Sequence, residues 1–398
     1  MRILLAHNYY QQPGGEDQVV ATEAGLLERH GHTVLRFHLR NDDVANMHPL
    51  ALAGATLWNR SAYRELRALM ARERPDVVHF HNTFPLMSPA AYYAARAQGV
   101  PVVQTLHNYR LLCPNALLFR EGRVCEDCVG KLVPWPAVAH ACYKSSRLAS
   151  GVTAAMLTTH RLAGTWRRMV NVYIALSDFA RAKFVEGGLP AGKIAVKPNF
   201  VDPDPGPGAG TGDFAMFAGR LTPEKGVRTL LEAWSRMSPR IPLKIVGDGP
   251  LAGEVASAAQ TIPGVEWAGF QNHEQILAWM KQAAFLVVPS TWYEGFPMTV
   301  AEALACGLPV LASNIGSLGE LIQPGRTGFL FRPGDAQDLA LHAGRLIADN
   351  HTRTSMRREA RSEYETRYTA AANYDMLLSI YQRALSGVEC SGQVSPAP

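Results

Sequence analysis

The stretch TWYEGFPMTVAEALACGLPV, residues 291–310, decides how the chain is read. It sets two acidic residues, Glu294 and Glu302, eight positions apart, with Gly295 and Pro297 between them and an apolar run behind. A buried helix would not open on such a loop, and a surface helix would carry more charge. Just before it, AFLVVPS (284–290) has the apolar density of a buried strand, and MTVAEALACG (298–307) reads as a short helix stopped by Gly307 and Pro309. Glu294 therefore falls in a strand-to-helix loop and Glu302 on the helix.

Gly295 lets the backbone approach a ligand, and the unpaired amides around Met298 and Thr299 at a helix N-terminus attract an anion. Carboxylates accept hydrogen bonds from sugar hydroxyls but repel phosphate. A ligand with a hydroxyl-rich part on each side of a diphosphate fits this order, as a nucleotide sugar would; a capped surface helix with two solvated glutamates would give the same spacing. FAGRLTPEKG (217–226) places Arg220 and Lys225 beside Gly219 and Gly226, after another strand. Two cations there could neutralise a departing diphosphate, although an isolated Arg/Lys loop is more often solvated.

Outward from these loops the same grammar repeats. RILLAHN, TVLRFHL, DVVHFHN, VPVVQTLHN and VYIALSD precede residue 201, and FAMFAGR, PLKIVGDG, GVEWAGF, AFLVVPS and LPVLAS follow it, all separated by helical stretches. Near-continuous apolar strands alternating with helices predict parallel sheets covered on both faces. VDPDPGPGAGTGD (201–213), with four Gly and three Pro, reads as the linker. The expected organisation is an α/β chain of two doubly wound domains facing across a cleft: 1–200, 201–370, a helix 371–385 that crosses back to the first domain, and a disordered tail 386–398.

Composition bounds the function. The 398 residues are too many for one ordinary core and carry a net charge of +5. Before residue 205 there are 23 Lys and Arg against 16 Asp and Glu, and after it 16 against 18. A mildly basic first half suits an acidic ligand or an anionic membrane surface better than nucleic acid, which calls for denser positive charge. No run reaches the roughly 20 apolar residues of a membrane span, and MRILLAHNYY reads as a strand rather than a signal peptide. The expectation is a cytoplasmic protein with reduced cysteines and no disulfides. LWNRSAYRELRALMARERP (57–75) interleaves Trp58, Leu66, Leu69 and Met70 with arginines; it suits an interfacial helix at a membrane or a helix packed inward.

Taken together, PGGEDQVV (13–20), FAGRLTPEKG, IVGDGP and STWYEGFPMTVAEALACGLPV resemble the retaining nucleotide-sugar glycosyltransferases of family 4, glycosyl transferases group 1, over residues 1–385. The resemblance implies the GT-B fold of two Rossmann-like domains. It further implies transfer of a hexose from a nucleotide diphosphate sugar to a glycan or lipid-linked acceptor, as in surface polysaccharide biosynthesis at the inner face of the cell envelope, with no catalytic metal. By the same carry-over Arg220 and Lys225 bind the donor diphosphate and Glu302 the ribose. Glu294 takes the donor sugar with main-chain help from Phe296, Pro297, Met298 and Thr299. Gly15 admits donor and acceptor, and His107 in TLHNYR stands by the reacting sugar. His79 and His81 in HFHN look like a metal pair but more readily shape the acceptor side. A GT-B epimerase or phosphorylase is the rival enzyme, and a non-catalytic scaffold the rival of another class.

Two features depart from the family. NFVD (199–202) stands where Asn-Gly-Val-Asp is usual, and an insert at about 111–147 contains Cys113, Cys125, Cys128 and Cys142. One C-x2-C with two outlying cysteines suggests a structural zinc, His140 being a substitute ligand; unliganded thiols are the alternative.

Overall fold

The structure, a computed structural model, describes residues 1–11, 14–238 and 240–387, and the side chains of all these except 45 and 46. The tail expected to be disordered lies, from residue 388, outside the described residues. The chain forms two compact units: Met1–Leu118 with Cys125–Pro198 and the chain from Tyr374, and Phe119–Val124 with Asn199–Asn373.

In the first unit β1 (Arg2–Tyr9), β2 (Thr33–Arg40), β3 (Val77–Asn82), β4 (Val102–Leu106), β7 (Val172–Ala175) and β8 (Ile194–Val196) form a parallel sheet in the order β2-β1-β3-β4-β7-β8. Central strands such as β3, VVHFHN, are buried along their whole length, which is why they read as apolar runs; the edge strand β2 alternates in exposure. In sequence between β4 and β7, but assigned to the second unit, is a small antiparallel hairpin, β5 (Phe119–Arg120) with β6 (Arg123–Val124). Helix Ala370–Ser386 contributes Leu377, Ile380, Tyr381 and Ala384 to the core formed by Ile3, Leu5, Val77, Val103 and Ile174.

The second unit repeats the plan with β9 (Ala215–Ala218), β10 (Leu243–Val246), β11 (Val265–Trp267), β12 (Phe285–Val288), β13 (Val310–Ser313) and β14 (Gly328–Phe331), ordered β11-β10-β9-β12-β13-β14. This strand order reverses direction between β9 and β12, the crevice where open α/β sheets bind ligands. The sequence does not announce β8 and β14. β8 is three residues long, and β14 opens on Gly328, where an added Cβ would lie 1.8 Å from the Val310 carbonyl oxygen. Close backbone approach, not a β-branched run, sets that strand.

The packing bears on two of these readings. The Gly/Pro stretch 201–213 is no free tether: Gly208, Gly210 and Gly212 donate backbone hydrogen bonds to Cys306, Lys281 and Gln282, laying the segment along the second unit. Helix Arg60–Glu73, capped by Asn59, commits Ala62, Leu66 and Met70 to the interior and leaves Arg60, Arg64, Arg67 and Arg72 outside. Its apolar side is therefore used by the fold and not offered to a bilayer. Among the described residues no helix is long and apolar enough to cross a membrane.

The loops after β9 and β12 meet at Gly226. It adopts φ +71°, and a Cβ there would fall 1.7 Å from the Pro289 carbonyl oxygen. We expect Gly226→Ala to destabilise by more than about 1 kcal/mol, because backbone must move. Gly253→Ala, in helix Ala252–Thr261 with no atom near the new Cβ, should be neutral or stabilise by about 0.5–1 kcal/mol. Melting temperatures of the two variants check the contrast.

Candidate functional site

At the carboxyl end of β9 the chain passes through Arg220 and a 3-10 turn, Pro223–Lys225, before helix Val227–Arg236. At the end of the neighbouring β12 it passes through Ser290 and Glu294 into helix Met298–Ala305. The two loops are bonded: the Thr291 amide donates to the Glu224 carbonyl at 2.9 Å. Lys225 Nζ donates to both oxygens of Glu294, at 2.8 and 3.0 Å, while Ser290 Oγ donates to Oε1 at 2.6 Å and Ser317 Oγ to the Glu294 carbonyl at 2.9 Å.

Glu294 is 4% exposed. Burial by itself would raise its pKa, but the Lys225 ammonium and the hydrogen bonds from Lys225 and Ser290 hold it below its ordinary value. The carboxylate assigned from sequence to sugar hydroxyls is thus largely engaged by the protein. Lys225 also faces the Trp292 ring at 5.6 Å. Arg220 is exposed, and its guanidinium has no hydrogen-bond partner among the described residues.

Helix Met298–Ala305 starts after Pro297 with no side-chain cap, so its first amides are open to a ligand. One turn in, the buried Glu302 meets His273 Nε2 at 2.9 Å. That hydrogen bond raises the His273 pKa against the opposing effect of its burial. Phe296 is buried near the Tyr368 ring, 5.7 Å between centroids, so only its main chain is available to a ligand.

In the first unit Gly15 begins helix Gly15–Arg29, exposed, rather than ending a loop; Asp17 caps it by accepting from the Gly14 amide at 2.8 Å and pairs with His7 Nε2 at 2.7 Å. His107, at the end of β4, shares a 2.9 Å hydrogen bond with His81, ring on ring. Burial, then His81 and His7, hold the His107 pKa well below the ordinary imidazole value, and His81 is lowered to about 3 by burial and then by His79. Both imidazoles are neutral near pH 7, one nitrogen donating and the other accepting. Behind them Glu23 meets Lys197 at 3.1 Å, His79 at 3.0 Å and His81 at 3.3 Å. Burial would raise the Glu23 pKa, but Lys197 and then His79 keep it well below the usual carboxylate value. His79 and His81 are therefore buried members of a network inside the unit.

Glu16 differs from its neighbours. Its Oε1 is buried without a hydrogen-bond partner, and burial, followed by Asp17, pushes its pKa up to about 8. Glu23 with His79 and His81, and His7 with Glu16 and Asp17, each bring ligating atoms within 4.8 Å of one another. Lys197 already supplies the first set with a cation. Burial, then nearby Cys113, pushes the Cys128 thiol up to about 12.

The structure thus joins Lys225 with Glu294, puts Glu302 one turn inside the open helix end, and assigns Gly15 and His107 to the first unit. Sequence reasoning missed Ser290, Ser317, His273, Glu16, Asp17, Glu23 and Lys197. Glu23 alone left a trace, an acid inside the apolar run VVATEAGLL.

A family model described as Glycosyltransferase Family 4 matches residues 13–205, and one described as Glycosyl transferases group 1 matches residues 205–363. The sulfoquinovosyl transferase of Arabidopsis thaliana is 31% identical over 372 residues, 90% of this chain and 65% of the relative. Alpha-D-kanosaminyltransferase of Streptomyces kanamyceticus is 26% identical over 343 residues, 83% of this chain and 82% of the relative. The Anabaena protein Alr3699/HepE, solved in complex with UDP, matches with a TM-score of 0.69 at 18% identity, covering 96% of this chain and 100% of that one, which shows the fold.

Two variants test the buried charges of the first unit. Lys197→Met leaves Glu23 without its ammonium and should destabilise by about 3–5 kcal/mol, as loss of one partner of a buried pair does; urea unfolding measures it. Glu16 works in the opposite sense. Its folded pKa lies above the unfolded value of about 4.3, so its contribution is complete below that pH and is lost as pH rises through about 8. Glu16→Gln should therefore melt higher than the parent chain at pH 8, with the difference vanishing near pH 4.

Proposed function

The chain belongs to the family 4 glycosyltransferases, glycosyl transferases group 1, and from that premise we propose that it moves a hexose from a nucleotide diphosphate sugar to a glycan or lipid-linked acceptor with retention at the anomeric carbon. One observation carries the reading: the Arg220/Lys225 loop and the uncapped helix end at Met298 lie at the two strands flanking the switch point of the second sheet, tied by the Lys225–Glu294 ion pair. Positive charge and open amides converge where a diphosphate would sit. A structural neighbour carrying UDP supports the same class of donor.

In this reading Arg220, exposed and unpaired, and the third proton of Lys225 meet the diphosphate, and the amides of Met298 and Thr299 complete its cradle. Glu302 accepts from ribose hydroxyls, held in orientation by His273. Glu294 contributes chiefly by aiming Lys225, with its second oxygen left to a sugar hydroxyl. As the bond from the anomeric carbon to the diphosphate oxygen breaks, charge grows on the leaving group, which these cations stabilise without reorganising. The acceptor hydroxyl attacks the same face, and its proton passes to the departing diphosphate oxygen. In the first unit His107 is held neutral by burial and by its neighbours His81 and His7. The protein's own cations do the work a metal ion does elsewhere, and no nucleic acid is involved. The exposed arginines of helix Arg60–Glu73 would favour an anionic membrane at the cytoplasmic face, where a lipid-linked acceptor resides.

A thermal-shift panel of nucleotide sugars should identify one donor that raises the melting temperature, since only the folded chain binds it. With that donor, Glu302→Gln should mainly raise KM, because ribose contacts are alike in ground and transition states. Glu294→Gln should lower kcat roughly 100-fold, in keeping with other preorganised electrostatic groups. Turnover of Glu294→Gln near the parent rate, in a variant with unchanged melting temperature, would contradict the reading. Release of a free sugar nucleotide without acceptor would instead mark an epimerase.

A further inference from the structure

Helix Arg60–Glu73 keeps its apolar side for the interior, but other helices of the first unit do the reverse. Helix Pro49–Leu57, PLALAGATL, carries no charge and buries only Thr56, while Leu50 and Ala51 are exposed. Helix Arg147–Leu162 buries residues such as Ser150, Thr153, Leu157 and His160. At spacings of three and four it turns Leu148, Ala155, Thr159 and Leu162 outward, with Val152 half-buried between them. Leu148 and Leu162 are 74% and 69% exposed. A surface helix ordinarily points charge at water, yet this outward stripe has none. Earlier in the chain, KLVPWP (131–136) leaves Leu132, Val133 and Trp135 exposed, Trp135 by 60%, where helix Trp135–Ala139 begins.

These elements are neighbours. Helices Pro49–Leu57 and Trp135–Ala139 both pack on helix Arg147–Leu162. His160 Nε2 donates to the Leu57 carbonyl at 3.0 Å, and the Arg161 guanidinium to the Leu132 carbonyl at 3.3 Å. The charge of the region is one-sided: residues 128–177 contain six Lys and Arg and no Asp or Glu. Of these cations Lys131, Lys144, Arg147, Arg167 and Arg168 are exposed. Large apolar side chains left in water among charges mark an interaction surface.

We propose that this face of the first unit docks on an anionic phospholipid surface. Leu132, Val133, Trp135 and the outward stripe of helix Arg147–Leu162 enter the headgroup layer, and the surrounding cations meet lipid phosphates. Apolar burial and electrostatic attraction add in such binding, and tryptophan favours that depth. A second copy of the chain is a poorer cover, because a symmetric contact sets these cations against their own copies, with no acid in the stretch to pair them. The arginines of helix Arg60–Glu73 offer charge alone; this surface adds insertion, beyond the function proposed above and on different residues.

In flotation, the full chain should bind vesicles of phosphatidylglycerol and phosphatidylcholine in equal parts, and bind phosphatidylcholine alone roughly tenfold or more weakly. High salt should weaken the binding without abolishing it, because screening removes the electrostatic part and leaves the apolar one. Leu132→Ser combined with Trp135→Ser should bind roughly tenfold or more weakly. Its melting temperature and its thermal shift with UDP should stay those of the parent, since both side chains are exposed and the donor loops belong to the other unit. Hydrogen exchange of the parent chain, which needs no variant, should slow across residues 130–136 when vesicles are added. Arg64→Gln combined with Arg67→Gln is the comparison: if that variant alone loses binding, the charged helix makes the contact, and this inference falls while the proposed function stands. The proposal is also overturned if the parent chain does not float with anionic vesicles, if high salt releases it completely, if the Leu132/Trp135 variant floats like the parent, or if the chain is a dimer that Leu148→Ser dissociates.

Discussion

Everything proposed for the second unit depends on one ion pair, Lys225 with Glu294. The partners lie 69 positions apart in sequence, and only a sheet that sets β9 against β12 brings them together. A carboxylate as buried as Glu294 is costly unless it is paired and hydrogen-bonded, and Lys225 with Ser290 supplies both. The pairing demands a glycine at 226, because two backbone segments approach more closely than a Cβ allows, and it is reinforced by the Thr291–Glu224 backbone bond. It also leaves Arg220 without a side-chain partner among the described residues, and the helix end at Met298 without a side-chain cap.

The first unit solves a similar problem with a longer chain of contacts. Two carboxylates of helix Gly15–Arg29 are paired inside: Asp17 with His7, and Glu23 with Lys197 and His79. His81 transmits that arrangement to His107 through a single hydrogen bond. The result is a neutral imidazole held by its neighbours, a group suited to orienting a ligand and poorly suited to taking a proton. Glu16, with an unpartnered buried oxygen, has its pKa pushed up to about 8 by burial and then by Asp17.

Much of this architecture was legible because parallel strands buried on both faces announce themselves as apolar runs, and because loops at strand ends carry glycines that only close approach explains. That grammar singled out Glu294, Glu302, Arg220 and Lys225 as candidates at strand ends, and the structure brings Lys225 and Glu294 together. What stayed hidden was pairing at long range. Nothing near Glu294 in sequence points to Lys225 as its partner, and nothing near His81 points to Glu23. β8 and β14 escaped for a related reason, since three apolar residues or a strand opening on glycine carry no periodicity of their own. The inward face of helix Arg60–Glu73 could not be told from an interfacial one, because both use the same amphipathic pattern.

The most direct test of the central claim is a crystal structure of this chain with UDP bound. The diphosphate oxygens should lie within hydrogen-bond reach of Arg220, Lys225 and the amides of Met298 and Thr299, with ribose hydroxyls on Glu302 and the Lys225–Glu294 pair intact. A nucleotide seated away from the loops after β9 and β12 would contradict it.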